Sequence, residues 1–591
     1  MNKGLLKYFG IAVLAMCLLA LYPQISLWIS QGSNWNGSYF VSNYDETAYS
    51  AYVNKLIEGG TRKSDPFIGH KNEPQSETLY SIQFIPAYSI AIPARIFGVS
   101  VSTAFIFLSL FIAIFSTIVL ILLFYDQTGE ILISTVGSLV VLCFGTAIAF
   151  QGELRYLIDG RLLVDFLPFL RRYQPGFAFP LFFIFCLFVW RSAGADRINK
   201  LIYCSVAGGL VFAALVFSYF YLWTAAAAWL FCFAVISLIV NKSNRKNVLV
   251  VSGIIGVFAA AALIPFFYLL SLRNQNLDSI QLLTLTRMPE LFSLSMVFGI
   301  VTAILAVLFY KRRNPNLDVG RLVVILTFAL TPVILFNQQM LTGRSLQPIH
   351  YEIFIANYLV LISAVLLLWN VVITKGASFR RALVYLGVVA VSWGFFEAYG
   401  SASRNAISAE IRDESLPAIE YANTLAVSPE RSIIHATNFV TADFVSSASS
   451  SRSLWNAHTS SSGGVDIQEN KRLFYLYLYY SGIGPKELSD ALKHNSFEMF
   501  AAIFGSERAL PSLGNGAKKI TIEEVNDEIK KYADFSNTFS EKEAREYVLS
   551  SIIVPTEAEP SFTNIDKWYM RDNKKDFGLF TVYRLSLKAP K

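Results

Sequence analysis

An acidic pair, Asp45-Glu46, stands a short way beyond the first long apolar run of the chain. It opens a helical pattern (Ala48, Tyr52, Leu56) that stops at Gly59-Gly60. Acidic residues favour a helix N-terminus on dipole grounds alone. The chemical reading makes Asp45 a base that removes a proton from an acceptor hydroxyl. A second polar stretch, QGELRYLIDGRLLVDFLPFLRRYQPGF, carries four arginines and three acids beside apolar residues. Arg171 and Arg172 suit a phosphate at a membrane surface, and Glu153, Asp159 or Asp165 can supply a second carboxylate. The plainer alternative is a set of arginines anchoring two helix ends by snorkelling. A third stretch, FNQQMLTGRSLQPIHYEIFIANY, holds one cation, Arg344, after Thr342-Gly343. Gln338, Gln339, Gln347, His350, Tyr351 and Glu352 surround it in sequence. A planar guanidinium in a glycine-containing turn suits phosphate or pyrophosphate capture, with the flanking amides, His350 and Tyr351 as substrate contacts.

The elements that position these groups are written in the composition. The chain has 591 residues, of which 54% are hydrophobic and only 15% charged. A soluble chain carries about a quarter charged residues. The deficit falls between Met1 and about Tyr399, where long apolar runs alternate with short polar loops; beyond that point the sequence reads as an ordinary soluble protein. The net charge of +7 sits largely in short loops, so it bears on membrane orientation and not on nucleic acid. All five cysteines lie in apolar runs, which disfavours zinc and structural disulfides. Neither common glycine-rich nucleotide loop is present, which speaks against a nucleotide-bound donor.

A spanning helix needs ~20 mostly apolar residues. Eleven runs qualify: 10–29, 101–125, 131–150, 177–190, 201–217, 219–240, 248–271, 292–310, 321–336, 353–371 and 382–398. The first is read as a retained span, because Tyr22-Pro23-Gln24 makes a poor signal cleavage site. The stretch 201–240 is too long for one span and is split near Ser218-Tyr219. Segment 82–98 contains Pro86, Pro93 and Arg95, and is read as an interfacial helix. With the N-terminus inside, cations concentrate in the short cytoplasmic loops, as the positive-inside rule requires. Two loops depart from it: Asp126–Glu130 is acidic though inside, and 151–176 bears arginines though outside. The long polar loops 30–100, 151–176, 272–290 and 337–352 then share the outer side with the C-terminal part.

That part, 400–591, alternates helical signals (412–426, 470–481, 486–494, 521–533, 541–549) with strand signals (432–437, 499–503, 550–554, 578–586). A small soluble α/β domain follows. The serine-rich stretch 446–453 and the following 456–464 read as a flexible surface loop, with Asn456 and His458 as candidate acceptor contacts. His435 and His494 read as structural or solvated.

This layout resembles the polytopic GT-C glycosyltransferases, the group that includes protein O-mannosyltransferases and the aminoarabinose transferase of lipid A. The matching features are a first span, a large outer loop with Asp45-Glu46, the amphipathic segment 82–98, about ten further spans and an outer soluble domain. The resemblance implies an α-helical polytopic membrane protein of about 11 spans (1–399) with a C-terminal soluble α/β domain (400–591), placed by analogy in a bacterial inner membrane. It implies transfer of a sugar from a polyprenyl-phosphate donor to a glycan, lipid or protein acceptor on the outer side. Asp45 would be the base and Arg344 would bind the departing lipid phosphate. By the same resemblance Glu46, Asp159 or Asp165 would assist, or bind a divalent cation as in some members, although no second Asp-x-Asp pair is visible. The rival readings are a flippase or transporter for lipid-linked sugar, an O-antigen-type polymerase, and a sensor or scaffold without chemistry. A transporter predicts charged residues within spans and internal repetition; the spans carry almost no such charges and no internal repeat is evident.

The orientation is open to a direct check. Single cysteines introduced at 126–130 and at 337–352 are expected to react with an impermeant thiol reagent from opposite sides of the membrane. Labelling of both from one side contradicts the assignment.

Overall fold

A computed structural model describes the chain except for residues 1–2, 68–75, 163, 165, 275, 313–316, 373–376, 427–431, 495–496, 510–517, 559 and 590–591. Among the described residues eleven helices are long and apolar enough to cross a membrane. Each of the eleven expected runs lies on one of them. The doubtful stretch divides where the sequence placed the break: one helix ends at Val216 and the next begins at Phe220. The two short runs are extended by adjoining helical turns, giving apolar spans of Arg172–Ala193 and Val319–Thr342. Segment 82–98 forms a helix, Ile85–Phe97. At ~1.5 Å per residue its length is about 20 Å, short of the ~30 Å hydrocarbon core. The protein is therefore an integral, multi-pass helical membrane protein with a small sheet near its C-terminus.

The chain folds into two compact units. The first comprises residues 1–26, 106–268 and 285–404, and holds most of the apolar helices. The second comprises 27–105, 269–284 and 405–591. The long loop after the first span, expected within the membrane region 1–399, thus belongs largely to the same unit as the C-terminal part.

In the first unit, small residues let helix backbones approach closely, as membrane packing favours. A Cβ on Gly299 would lie 2.1 Å from the Ala329 carbonyl oxygen, and one on Gly145 would lie 2.5 Å from the Tyr358 ring. Neither position admits a side chain without displacing its neighbour. Asp126 accepts two bonds from Arg191, at 2.6 and 3.1 Å. Arg171 and Arg172 are buried. Sequence reasoning passed over Glu397, which is 1% exposed near the end of the last apolar run. Its carboxylate accepts from Thr146 Oγ1 at 3.0 Å and from the Glu153 amide at 3.1 Å. Glu153 in turn pairs with Arg404. These bonds tie the turn after Ile131–Ile148 to the long helix Ala377–Thr424.

The second unit is built on a five-stranded sheet. Its order is Arg452–Ser453, Ile433–Ala436, Ser551–Pro555, Phe580–Leu587, Tyr569–Phe577. The first three strands run parallel and the last two pair antiparallel. Two expectations fail. The stretch 499–503 is helical, within Phe497–Phe504, and Tyr569–Phe577 is an unforeseen strand. FEMFAAIF buries Met499, Ala502 and Ile503 at helical spacing, which a window of five apolar residues cannot distinguish from a strand. YMRDNKKDF is an edge strand with six polar residues in a row, and charge is how edges avoid further pairing.

The serine-rich stretch also differs from expectation. It is no flexible loop: Phe439–Ala448 is a helix, and Ser446, Ser447, Ser449, Ser451 and Ser453 are all buried. The Ser447 and Ser446 hydroxyls meet the helix Glu46–Ile57 and its flank, while those of Ser449, Ser451 and Ser453 bond Val445, Asn423 and Trp455. Ser447 donates to the Thr47 carbonyl at 2.9 Å, and Ser447 Oγ lies 2.8 Å from Ser50 Oγ. Asn54 donates to the Ser449 carbonyl at 3.1 Å, and Ser462 bonds the buried Asp65. At about 0.5–1.5 kcal/mol for each net hydrogen bond, this seam contributes several kcal/mol to the union of the two segments. Asp413 adds to it by accepting from the Asn36 and Ser38 amides at 2.9 and 3.0 Å.

His435 sits in the strand Ile433–Ala436, wholly buried, with its Nε2 3.2 Å from Ser481 Oγ and its ring against Tyr477. Burial pushes its pKa down to about 3. The folded protein therefore keeps His435 neutral where the unfolded chain, at an ordinary value near 6.5, takes up a proton. Stability from this residue is full above pH 6.5 and declines as pH falls towards 3. A His435→Gln variant is expected to show a shallower acid-side fall in Tm between pH 6.5 and 4, measured by thermal unfolding in detergent. A fall as steep as that of the wild type contradicts the assignment.

Candidate functional site

Within the second unit, the chain from Ser38 to Tyr44 leads into the helix Glu46–Ile57, with Asp45 at its N-cap position. The two members of the acidic pair have different environments. Glu46 is wholly buried and accepts from the Ser42 amide at 3.0 Å, so it braces the turn that presents its neighbour. Asp45 is half-buried, and its side chain does not cap the helix. One residue earlier, Tyr44 packs on the ring of His458 at 4.2 Å between centroids. His458 Nε2 lies 3.0 Å from the Tyr44 carbonyl oxygen, and Nδ1 lies 3.0 Å from Ser461 Oγ. Asn456 and His458 are both buried, so they hold the loop and do not face solvent as a surface contact would. His494 is exposed, with its Nδ1 2.8 Å from the Asp490 carbonyl oxygen.

Tyr44 forms part of the wall of a cavity of about 290 Å³. Its polar lining is Asn405, Ser408, Arg412, Asp443 and Glu498, and Phe439, Val440, Val41 and Ala457 complete it. Arg412 comes from the C-terminal half of the helix Ala377–Thr424, and Asp443 from the helix Phe439–Ala448. Both are buried, at 6% and 4% exposure. Asp443 Oδ1 stands 3.8 Å from His458 Nε2, beyond hydrogen-bond distance. Burial pushes the Asp443 carboxyl above the ordinary carboxylate range, against the opposing pull of His458 and Arg412. Burial likewise pushes the Tyr44 hydroxyl well up, reinforced by Asp443, Glu498 and Asp45. Neither Arg412 nor Asp443 was singled out in the sequence. The available signal was an acid inside an otherwise apolar and small-residue stretch, FVTADFVSSA.

In the first unit, several of the loop residues come together. Gln338 donates to the Tyr351 hydroxyl at 2.7 Å, and that hydroxyl lies 2.9 Å from Thr224 Oγ1. His350 packs between Tyr221 and Phe354, each 4.9 Å away by ring centroid. The Arg171 guanidinium lies over Phe354 and Phe166, at 5.6 and 5.8 Å, a cation–π arrangement. Arg171, His350, Tyr351 and Gln338 thus form one aromatic-lined cluster, with Arg172 buried next to Arg171 in sequence. Other loop residues lie apart from these contacts. Gln339 donates to the Met288 carbonyl at 3.0 Å. Arg344 is exposed, just after the left-handed turn at Gly343. Asp159 is largely solvated, 3.6 Å from Arg155 on the same helical turn. Glu153 is committed to Arg404, which gives it a structural placement. Asp165 lies outside the described residues. Among the described residues no group of three or more His, Cys, Asp or Glu could hold a metal ion, so a divalent cation has no fitting ligand set there.

No family model matches this sequence, and no curated protein matches it. Solved structures are similar to it at low identity. The chain is similar along its whole length to all of ArnT from Cupriavidus metallidurans, solved bound to undecaprenyl phosphate, with TM-score 0.47 and 11% identity. It is also similar to the Archaeoglobus fulgidus oligosaccharyltransferase in its apo form, with TM-score 0.45 and 13% identity over 97% of this chain and 73% of that one. The same oligosaccharyltransferase tethered to an acceptor peptide gives TM-score 0.44 and 12% identity, over 100% of this chain and 74% of that one. With TM-scores below 0.5, the chemistry of this chain has to be read from its own side chains.

Proposed function

We propose that the protein is a membrane glycosyltransferase that moves a sugar from a polyprenyl-phosphate donor to a glycan, lipid or protein acceptor on the outer side of the membrane. The observation that carries the reading is the contrast within the acidic pair. Glu46 is buried and braces the turn, while Asp45 remains half-buried at the head of its helix, one residue from a polar cavity wall. A carboxylate so placed can take the proton of an acceptor hydroxyl. The hydroxyl oxygen then forms a bond to the anomeric carbon as the bond from that carbon to the phosphate oxygen breaks. The electron pair leaves with the polyprenyl phosphate, and a guanidinium stabilises the developing charge. Arg344 is the residue proposed for that role, supported by its exposure beside a glycine turn. Arg171 is proposed to assist from its aromatic setting, with His350, Tyr351 and Gln338 as sugar or phosphate contacts. Holding both reactants in line supplies much of the acceleration. In this proposal the N-terminus lies inside and the C-terminal part outside.

The test is a transfer assay with the purified protein and a panel of polyprenyl-phosphate sugars. Asp45→Asn is expected to lower turnover by about 10²-fold or more while donor binding persists. Arg344→Ala is expected to weaken donor binding about tenfold, the order of one charge-assisted contact. Wild-type turnover in Asp45→Asn removes the proposed base.

A further inference from the structure

The cavity beside Tyr44 holds more hydrogen-bonding capacity than the fold uses. The Tyr44 hydroxyl and Nε of Arg412 are buried and have no hydrogen-bond partner among the described residues, and the buried Asp443 carboxylate makes no bond within hydrogen-bond geometry there, although the Thr47 hydroxyl is near enough to draw its pKa down. All three residues line the same space. Buried polar groups are ordinarily satisfied, and those left open are commonly completed by something that binds. Here an acid and a base face one cavity without bonding each other.

The lining selects among possible occupants. A free metal cation would meet Arg412 and has no cluster of three ligating side chains among the described residues. A simple anion would meet Arg412 but also Asp443 and Glu498. An apolar ligand would leave every open group unsatisfied at a desolvation cost. A neutral ligand with adjacent hydroxyls meets all of them, because each hydroxyl both donates and accepts. It can give protons to Asp443, accept from Arg412 and bond the Tyr44 hydroxyl, with Asn405 and Ser408 within the same lining. Phe439, Val41 and Val440 offer an apolar surface for carbon-bound hydrogens. The cavity of about 290 Å³ corresponds to roughly ten waters at ~30 Å³ each, room for a single pyranose ring.

We infer that this cavity is a binding site for one neutral sugar ring, the acceptor unit of the transfer. That the sugar is the acceptor rests on the transfer reading above; that the cavity takes a sugar does not. Tyr44 joins the two, since it lines the cavity and is bonded directly to Asp45.

The experiment is saturation-transfer NMR on the full-length protein in detergent. The probes are methyl glycosides of glucose, galactose, mannose and N-acetylglucosamine, with inorganic phosphate, glycine and magnesium as competitors. At least one glycoside is expected to bind saturably and to resist all three competitors. Tyr44→Phe, which keeps the ring, and Asp443→Asn are each expected to weaken binding tenfold or more. Asp45→Asn is expected to bind as the wild type does. If Asp443→Asn fails to fold, Tyr44→Phe decides. No saturable glycoside binding to the wild type, equal binding in Tyr44→Phe, or displacement by a competitor overturns the inference. A sugar that binds while Asp45→Asn turns over normally would remove the transfer reading and leave the sugar site standing.

Discussion

The second unit depends on a polar seam between distant segments. The helix that follows Asp45 lies against a serine-rich helix nearly 400 residues later, joined through hydroxyls and not through large apolar side chains. Tyr39 donates to Ser50 Oγ at 2.8 Å, and Ser50 stands against Ser447 at the same distance. Small hydroxyl-bearing residues permit close helix approach while satisfying each other, whereas a buried hydroxyl without a partner costs about 1–3 kcal/mol. Removing one partner therefore exposes the other to that cost. With Asp413 holding the Asn36 and Ser38 amides, the seam fixes where Asp45 and Tyr44 stand. The placement of the proposed base and of the cavity wall follows from it.

A division of labour runs through the acidic and basic residues. Glu46, Glu153, Glu397 and Asp413 are buried and bonded to amides, a hydroxyl or an arginine, so they organise turns. Asp443 and Arg412 are equally buried yet left with open hydrogen-bonding positions on a shared cavity. Burial alone does not separate these two sets. What separates them is whether the polar atoms are already satisfied, since only open groups have binding capacity to offer.

The membrane helices were legible because a spanning helix is specified by length and hydropathy, both local properties of the sequence. The break near Ser218 was readable for the same reason, whereas segment 82–98 was set apart by Pro86, Pro93 and Arg95. Elements of the second unit were harder. Tyr569–Phe577 is recognisable only through its partner Phe580–Leu587, because its own residues are mostly charged. The serines at 446–453 look like a surface loop until the facing Thr47, Ser50 and Asn54 are known. Asp45 was proposed from its place after the first span. Arg412 and Asp443 were not, because each is an ordinary charged residue in sequence and acquires meaning only through a shared wall. Arg171, His350, Tyr351 and Gln338 were proposed from two separate loops, and the ring of Phe354 and the hydroxyl of Tyr351 bring them together.

The seam itself is the most direct thing to measure. Replacing Ser50 and Ser447 together by cysteine places two thiols where hydroxyl oxygens now lie 2.8 Å apart, close enough to form a disulfide of ~2.05 Å after a small adjustment. With a protease site inserted between the two segments, mild oxidation is expected to hold the fragments together in near-quantitative yield until reductant is added. Fragments that separate without reductant would show that the segment 27–105 and the C-terminal part are not one folded body.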